Sequence, residues 1–304
     1  MKYMRIPLII AWGVAVLGII LGSFLDLNIS TAIASPSNGF GLTVSAIIPT
    51  IGFAGVAVMG GGFIALALKG KYHIVLKILF FVLAACCLGV AIYYPAGEYF
   101  GVNGFYGAAP EWVGYLIVII PECAAMVGGY FLFKDCKNDK MWIIFCIIIA
   151  LLLLALLAVI PTIKDNMHRP RYRFISRDGV DVAFHNWWEP FKEYKDYIAA
   201  HPTEPHDNFK SYPSGHTAEA SILFVVVTFF PMANEKMKKY QMPAFYVASG
   251  LVLLVAFARI LAAAHFLSDV SWGATIILTL TIIANEVVMR FKPLQLKEEK
   301  QENE

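Results

Sequence analysis

Long apolar runs separated by short polar connections extend through most of the chain. A membrane-spanning helix needs about 20 predominantly apolar residues, and eight runs approach or exceed that length. They are Ile6–Leu25, Val44–Leu68, Ile74–Tyr94, Val113–Phe133, Met141–Pro161, Ala218–Pro231, Ala244–Ala263 and Phe266–Met289. The sixth run is short, but Ser214–Thr217 can lead into it as an interfacial first turn. The pattern therefore predicts an all-α, polytopic membrane helix bundle of about eight transmembrane helices.

The composition agrees with this pattern. Of the 304 residues, 59% are hydrophobic and 15% are charged, and the mean hydropathy is +0.65. A single soluble core could not bury so many apolar side chains, and a disordered chain would contain far fewer. The net charge of +2 argues against a nucleic-acid partner. The expected partners are membrane lipids and a small substrate.

Basic residues are unevenly distributed over the connections between the runs. With eight spans, one side receives both termini and these basic residues: Lys2, Arg5, Lys69, Lys71, Lys134, Lys137, Lys140, Lys236, Lys238, Lys239, Arg290, Lys292 and Lys297. The short opposite connections, Asp26–Thr43 and Tyr94–Trp112, contain no Lys or Arg. The positive-inside rule then predicts a cell membrane protein, plasma or inner, with both termini in the cytoplasm.

The domain organisation follows from the same runs. Residues 1–140 hold four spans of unassigned role, and residues 141–292 hold four more, with a long outer loop at 164–213. Long loops are translocated regardless of their charge, so the basic residues of this loop do not overturn the topology. Its stretch Pro190–Ala200 predicts a short helix lying on the bilayer surface or, equally, an ordinary folded loop. Residues 293–304 predict a disordered cytoplasmic tail.

Three polar stretches fall at the predicted extracytoplasmic ends of the spans, where membrane proteins place polar groups for a functional reason. They are Lys164 with Arg169 and Arg171, then Pro213-Ser214-Gly215-His216, and finally Arg259 with His265 and Asp269. Guanidinium groups suit a phosphate, which accepts paired N–H bonds. A glycine at the start of a helix lets free backbone N–H groups approach the same anion, and a serine hydroxyl adds a donor. The stretches predict an anion-binding site.

Two histidines supply candidate catalytic groups. His265 and Asp269 are four residues apart and therefore share one helical face, so the carboxylate can accept an imidazole N–H and leave the other ring nitrogen as a nucleophile. His216 could protonate the departing oxygen. The same pair could instead form half of a metal site.

These residues resemble the signature of the type-2 phosphatidic acid phosphatase superfamily. Its Pro-Ser-Gly-His element is complete at 213–216, and its Ser-Arg-x5-His-x3-Asp element matches at Arg259, His265 and Asp269, with Ala258 in place of serine. Its Lys-x6-Arg-Pro element matches at Lys164 and Arg171, with Tyr172 in place of proline. Arg169, which a proline does follow, is the alternative first-element arginine.

The resemblance implies a phosphatase that needs no metal or cofactor and works through a phosphohistidine. His265 would be the nucleophile and His216 the acid, while Lys164, Arg171, Ser214, Gly215 and Arg259 would bind the phosphate. The expected substrate is a lipid phosphate or lipid pyrophosphate of the phosphatidic acid, phosphatidylglycerophosphate or undecaprenyl pyrophosphate class, processed at the extracytoplasmic face.

Other functions remain open at this point. A sugar-phosphate phosphatase has the same chemistry, and a vanadium haloperoxidase uses the same groups to hold vanadate, although eight spans argue against it. A membrane transporter is the alternative from another class, because Glu122 follows Pro121 inside the fourth apolar run.

Overall fold

The computed structural model describes residues 4–100, 111–136, 139–229, 231 and 235–301. These residues form α-helices joined by short connections, and the described part of the chain contains no β-strand. The α-helices are α1 Arg5–Ile33, α2 Gly39–Leu68, α3 Ile74–Phe100, α4 Glu111–Phe133, α5 Asp139–Leu154, α6 Ile160–Met167, α7 Tyr172–Ile175, α8 Tyr194–Ala200, α9 Gly215–Phe229, α10 Gln241–Leu261 and α11 Leu267–Gln301. A π-helical turn, Ala155–Val159, connects α5 to α6. The predicted all-α class is confirmed.

Within the described residues, seven helical stretches are long and apolar enough to cross a membrane. They correspond to seven of the eight predicted spans, so the prediction of a multi-pass membrane protein is confirmed at that level. The predicted sixth span forms α9, which has only 15 residues and is shorter than the usual spanning length. The count of eight therefore stays a prediction.

The short helix α9 lies in the interior of the bundle. It packs against α2, α10 and α11, and nearly all of its side chains are buried. These neighbouring helices leave little of its surface to face lipid. By contrast, α1, α3 and α4 expose many large apolar side chains, as helices that face lipid do. The helix that carries the Pro-Ser-Gly-His stretch is thus held by other helices rather than by lipid.

The N-terminal helices are attached to this interior in two ways. Helices α3 and α4 pack on α2, which in turn contacts α9 and α10, whereas α1 packs along α11. Phe53 and Val56 of α2 share a buried cluster with Ile149 of α5, Ile222 of α9 and Ile277 of α11. Helices α2 to α4 therefore share an apolar core with the C-terminal half, whereas Leu8 of α1 belongs to a second cluster with residues of α9, α10 and α11.

The segment between α6 and α9 is a folded unit with a small core of its own. Phe174, Val182, Phe191 and Phe209 form that core, and Phe191 is only 7% exposed. Because Phe191 points into this core, it does not rest on a bilayer, and the folded-loop interpretation of the segment fits the structure better. The helical part, α8, has only seven residues.

The C-terminal segment differs from its prediction. We expected disorder over 293–304, but α11 continues as far as Gln301. The residues that follow Pro293 are mainly Gln, Leu, Lys and Glu, which are strong helix formers. The helix begun by the apolar run can therefore extend into the charged sequence.

Candidate active site

Backbone hydrogen bonds bring the three predicted polar stretches together. The amide of Arg173, just past the first stretch, donates to the carbonyl of Ala263 in the third at 2.9 Å. The amide of Ser214 in the second stretch donates to the carbonyl of Asp269 in the third at 3.0 Å. The close approach of α11 requires Gly273, since a Cβ there would lie 2.3 Å from the Ser214 carbonyl oxygen. The stretches therefore form a single site.

The first stretch is positioned by a helix end. The π-helical turn at 155–159 precedes α6, which carries Lys164 in its last turn. The helix then ends at His168, which adopts a left-handed conformation with φ 47°. After this reversal the Lys164 ammonium donates to the Lys210 carbonyl at 3.0 Å, and an Arg171 Nη2–H group reaches the same oxygen at 3.5 Å. Lys164 and Arg171 thus meet, as their spacing predicted.

The second stretch forms the beginning of α9. The Ser214 hydroxyl oxygen accepts from the Thr217 amide at 3.4 Å and from the Thr217 hydroxyl at 3.1 Å, which is the geometry of a helix N-cap. The helix begins at Gly215, and His216 lies in its first turn with 8% exposure. Ser214 therefore fixes the start of the helix and keeps its own hydroxyl proton available for donation.

His265 is oriented by a backbone carbonyl and not directly by Asp269. Its Nδ1 lies 2.6 Å from the carbonyl oxygen of Ser211, whereas the nearest Asp269 oxygen is 3.9 Å away, too far for a hydrogen bond. A carbonyl can only accept, so the proton is assigned to Nδ1, and Nε2 carries the lone pair. The expected His265–Asp269 hydrogen bond is thus wrong, but the expected tautomer follows from another partner.

Asp269 is connected to His265 indirectly, through Ser211. Its Oδ2 accepts from the Ser211 hydroxyl at 2.5 Å and from the Phe266 amide at 2.9 Å. The carboxylate therefore holds the residue whose carbonyl orients His265, and it also holds the chain just before α11. This position is compatible with an orienting role that is indirect.

Both histidines lie in the field of the same cations. Lys164, Arg171 and Arg259 act electrostatically on His216 and on His265, and His216 also acts on His265. We call these five residues the cationic cradle. Burial lowers the pKa of His265 well below its ordinary value, and the three cations lower it further. The His265 ring is therefore held neutral, which is the form a nucleophile needs.

Asp207 is an acidic residue beside the cationic cradle that the sequence did not single out. Its carboxylate accepts from Arg171 at 2.7 Å and from Arg173 at 2.7 Å. Burial raises the pKa of Asp207, but Arg171, Arg173, Lys164 and Arg259 lower it by more, so that the net shift is downward. A carboxylate thus occupies donors that a phosphate would use.

Arg169 lies in a separate, fully buried cluster. One of its nitrogens, Nη1, donates to Asp269 at 2.5 Å and to Ser268 at 2.9 Å, and Nη2 donates to Asp26 at 2.9 Å. Its Nε donates to the His185 carbonyl at 2.9 Å. We call Asp26, Arg169, Ser268 and Asp269 the buried ion network. Because Arg169 is committed to these partners, the structure favours Arg171 as the arginine that accompanies Lys164.

A comparison with protein families identifies the family of the region that contains these stretches. The model of the PAP2 superfamily matches residues 139–292, which is half of the chain. The chain belongs to the PAP2 superfamily. No curated protein and no solved structure matches it. The match includes every residue of the cationic cradle and leaves out α1 to α4.

Membership in the PAP2 superfamily makes a phosphatase the family-level activity. Within the matched region, the structure brings together Lys164, Arg171, Arg259, His216 and His265, and it places Arg169 and Asp269 in the adjoining buried ion network. Ser211 and Asp207 are the residues that sequence reasoning missed there. Ser211 stands two positions before the Pro-Ser-Gly-His element, and only that proximity could have drawn attention to it.

Two other sequence hypotheses concern groups outside this site. Among the described residues, no group of three or more His, Cys, Asp or Glu side chains could hold a metal ion. Glu122 is completely buried in α4, and its carboxylate oxygens have no hydrogen-bond partner within the described part of the chain. Since α4 packs on α2 and α3, Glu122 belongs to the N-terminal helices and not to the matched region.

Proposed function

We propose that this PAP2 superfamily protein is an integral membrane phosphatase that hydrolyses a lipid phosphate or lipid pyrophosphate through a phosphohistidine. The observation that carries the proposal is the state of His265. Its proton is assigned to Nδ1 by the Ser211 carbonyl, its pKa is lowered, and it shares three cations with a second histidine. A neutral imidazole beside a concentration of positive charge is suited to attack on a bound phosphate.

The proposed reaction has two steps. In the first, the Nε2 lone pair of His265 forms a bond to phosphorus while the phosphorus–oxygen bond to the leaving group breaks, and His216 gives a proton to that oxygen. His216 has to enter this step protonated, and the negative charge of the bound phosphate favours that form against burial and the cations, which both lower the pKa of His216. In the second, water attacks phosphorus, the nitrogen–phosphorus bond breaks, and His216 takes a proton from the water. Lys164, Arg171 and Arg259 stabilise the equatorial oxygens in both steps, with Ser214 and the Gly215 amide as further donors. The proposed cycle uses no metal.

An apolar groove supports a substrate with a hydrocarbon tail. The groove has a volume of about 550 Å³ and lies between α1, α9, α10 and α11. Its rim includes Ile10, Val14 and Leu253, which are exposed on the surface of the bundle. The groove is also lined by Thr217, whose hydroxyl donates to the Ser214 hydroxyl oxygen. A lipid tail in this groove would end beside the cationic cradle.

The proposed orientation uses α9 as the eighth span, which places both termini in the cytoplasm and the site at the extracytoplasmic face. The arrangement is supported by the burial of α9, because a helix surrounded by protein can be shorter than one that faces lipid. In this orientation the proposed substrate is a lipid of the outer leaflet.

The test is phosphate release by the purified protein in the presence of a chelator. The substrates are long-chain phosphatidic acid, undecaprenyl pyrophosphate and glucose phosphate. We expect release from the lipids, little release from glucose phosphate, and an acid-labile phosphoryl label on the protein. In His265→Ala, release should fall by about 10⁴-fold or more and the label should disappear. The matched control is His201→Ala, which changes an exposed histidine of the segment preceding α9.

Each alternative gives a different result. Glucose phosphate as the better substrate would identify a sugar-phosphate phosphatase of the same superfamily. Activity that is lost with chelator and restored by a divalent ion would contradict the metal-free cycle. A protein that releases no phosphate but moves an anion across proteoliposomes, with movement lost in Glu122→Gln, would be a transporter.

A further inference from the structure

One carboxylate of the buried ion network comes from outside the region that matches the PAP2 superfamily. Asp26 lies near the end of α1 and is 2% exposed. Its Oδ2 accepts from Arg169 at 2.9 Å and also from the Ser268 hydroxyl. Its Oδ1 accepts from the Ser268 amide at 2.9 Å. A side chain from the first helix therefore holds both Arg169 and the start of α11.

The sequence of α1 explains how Asp26 reaches this position. Helix α1 packs along α11, and the contact near the site is made by Gly22, four residues before Asp26 and on the same helical face. A Cβ at position 22 would lie only 2.6 Å from the Ser268 amide nitrogen. The missing side chain lets the two helices approach closely enough for the next turn of α1 to bring its carboxylate to Ser268.

From Asp26, short contacts lead to the ring of His265. Arg169 bridges Asp26 to Asp269, Asp269 accepts from the Ser211 hydroxyl at 2.5 Å, and the Ser211 carbonyl lies 2.6 Å from His265 Nδ1. We propose that Asp26 is a positioning residue, which acts through Arg169 and Asp269 to fix the ring of His265. The inference rests on the proposed function, in which His265 is the nucleophile.

Loss of the Asp26 charge should affect the chemical step more than substrate binding. Asp26 is a partner of Arg169 in the network, whereas the proposed phosphate ligands Lys164, Arg171 and Arg259 belong to the cationic cradle. Without the carboxylate of Asp26, Arg169 keeps only Asp269 as a carboxylate partner, so its guanidinium group can rotate and shift Asp269. A displacement of about 1 Å at a reacting group can lower a rate by about 10²-fold. Ground-state contacts to the phosphate would remain.

The experiment compares Asp26→Asn with Thr31→Val in the full-length protein. Thr31 lies on the same helix and accepts from the Tyr172 hydroxyl at 3.3 Å, so its variant also removes one contact between α1 and the segment after α6. We expect Asp26→Asn to lower kcat about 10- to 100-fold and to change KM no more than about twofold. Thr31→Val should leave both close to wild type. Equal kcat values in the two variants, or a change confined to KM or to thermal stability, would overturn the proposal.

A double variant tests the path through Arg169. If Asp26 acts through that guanidinium, Asp26→Asn should lower kcat little further in an Arg169→Gln background. Additive losses would show that Asp26 acts by another route, and the proposed path would be wrong.

Binding of vanadate and of inorganic phosphate separates this inference from the proposed function. Vanadate can adopt the geometry of the transition state, so its affinity should fall about 10-fold in Asp26→Asn, while phosphate affinity stays within about twofold. If both affinities fall alike, Asp26 does not act as a positioning residue. A wild-type protein that binds neither ion and hydrolyses no ester would overturn the proposed function together with this inference. An active wild type with an unaffected Asp26→Asn variant would overturn only the inference.

Discussion

The buried ion network and the cationic cradle are adjacent and use the same kinds of side chain, yet their charges are organised in opposite ways. In the network, Arg169 has two carboxylate partners, Asp26 and Asp269, and all three side chains are buried. In the cradle, three cations surround two histidines. The difference appears within one stretch of sequence, since Arg169 and Arg171 are only two residues apart.

The contrast shows that the partners of a buried charge in a membrane protein indicate its function. A buried guanidinium that is matched by carboxylates ties helices together, because breaking such a set leaves an uncompensated charge. Cations gathered around neutral imidazoles create a positive potential that suits a bound anion. Arg169 should therefore contribute mainly to stability and affect catalysis only indirectly, through Asp269 and Ser211, whereas Arg171 should act on the bound phosphate directly. The following variants test that division.

The largest expected effect is on stability, in Arg169→Gln. Loss of this guanidinium leaves the carboxylates of Asp26 and Asp269 facing each other without a cation, and removing one partner of a buried ion pair costs about 3–5 kcal/mol. Denaturant unfolding of the purified protein measures this change. The control is Arg177→Gln, which removes a partly exposed pair with Glu204 and should cost no more than about 1 kcal/mol. Equal losses of unfolding free energy in the two variants would show that Arg169 does not hold the helices together.

A smaller effect, on catalysis instead of stability, is expected for Arg171→Gln. Removing one donor that stabilises transition-state charge typically lowers kcat by about 10²- to 10³-fold, while the unfolding free energy should change by no more than about 1 kcal/mol. Arg171→Lys keeps the charge but loses the planar fork, so we expect partial activity. A variant that unfolds more easily but hydrolyses lipid phosphate normally would reverse the roles of the two arginines.

Sequence periodicity predicted most of the fold because a bilayer imposes one length and one chemistry on each span. The exception is α9, whose 15 residues are stabilised by burial among other helices. That burial depends on tertiary packing, which hydropathy along the chain does not describe. The difference at 293–301 has another origin, since a charged composition was interpreted as disorder although the residues after Pro293 favour a helix.

The sequence predicted that the three polar stretches lie together but not how their residues are connected. Spacing predicted that Lys164 and Arg171 lie close together, and both reach the Lys210 carbonyl. It also predicted that His265 and Asp269 share one helical face, whereas His265 lies before α11 begins at Leu267. Spacing could not show that the Ser211 carbonyl would accept a hydrogen bond from His265 Nδ1, because Ser211 belongs to another part of the chain. Asp26 is more than 240 residues from Ser268, and its only local signal was its spacing of four residues from Gly22.

The smallest expected effect concerns Asp207, the acidic residue beside the cationic cradle. Its carboxylate holds Arg171 and Arg173, so it competes with a phosphate for the same donors. Asp207→Asn should therefore tighten binding of inorganic phosphate by about 3- to 10-fold, a modest change because the Asp207 side chain is half-exposed and solvent screens its charge. Calorimetric titration of phosphate measures the change.

Two observations would decide how Asp207 acts. Glu204→Gln removes another acid of the same segment, one that pairs with Arg177, and should leave phosphate affinity unchanged. The pKa of Asp207 is lowered by Arg171 and Arg173 against the raising effect of burial, so the carboxylate stays ionised and the advantage of Asp207→Asn should be present throughout the range from about pH 5 to 8. If Asp207→Asn instead weakens phosphate binding, the carboxylate aligns Arg171 for the substrate, and Asp207 then belongs to the phosphate-binding site together with the residues of the cationic cradle.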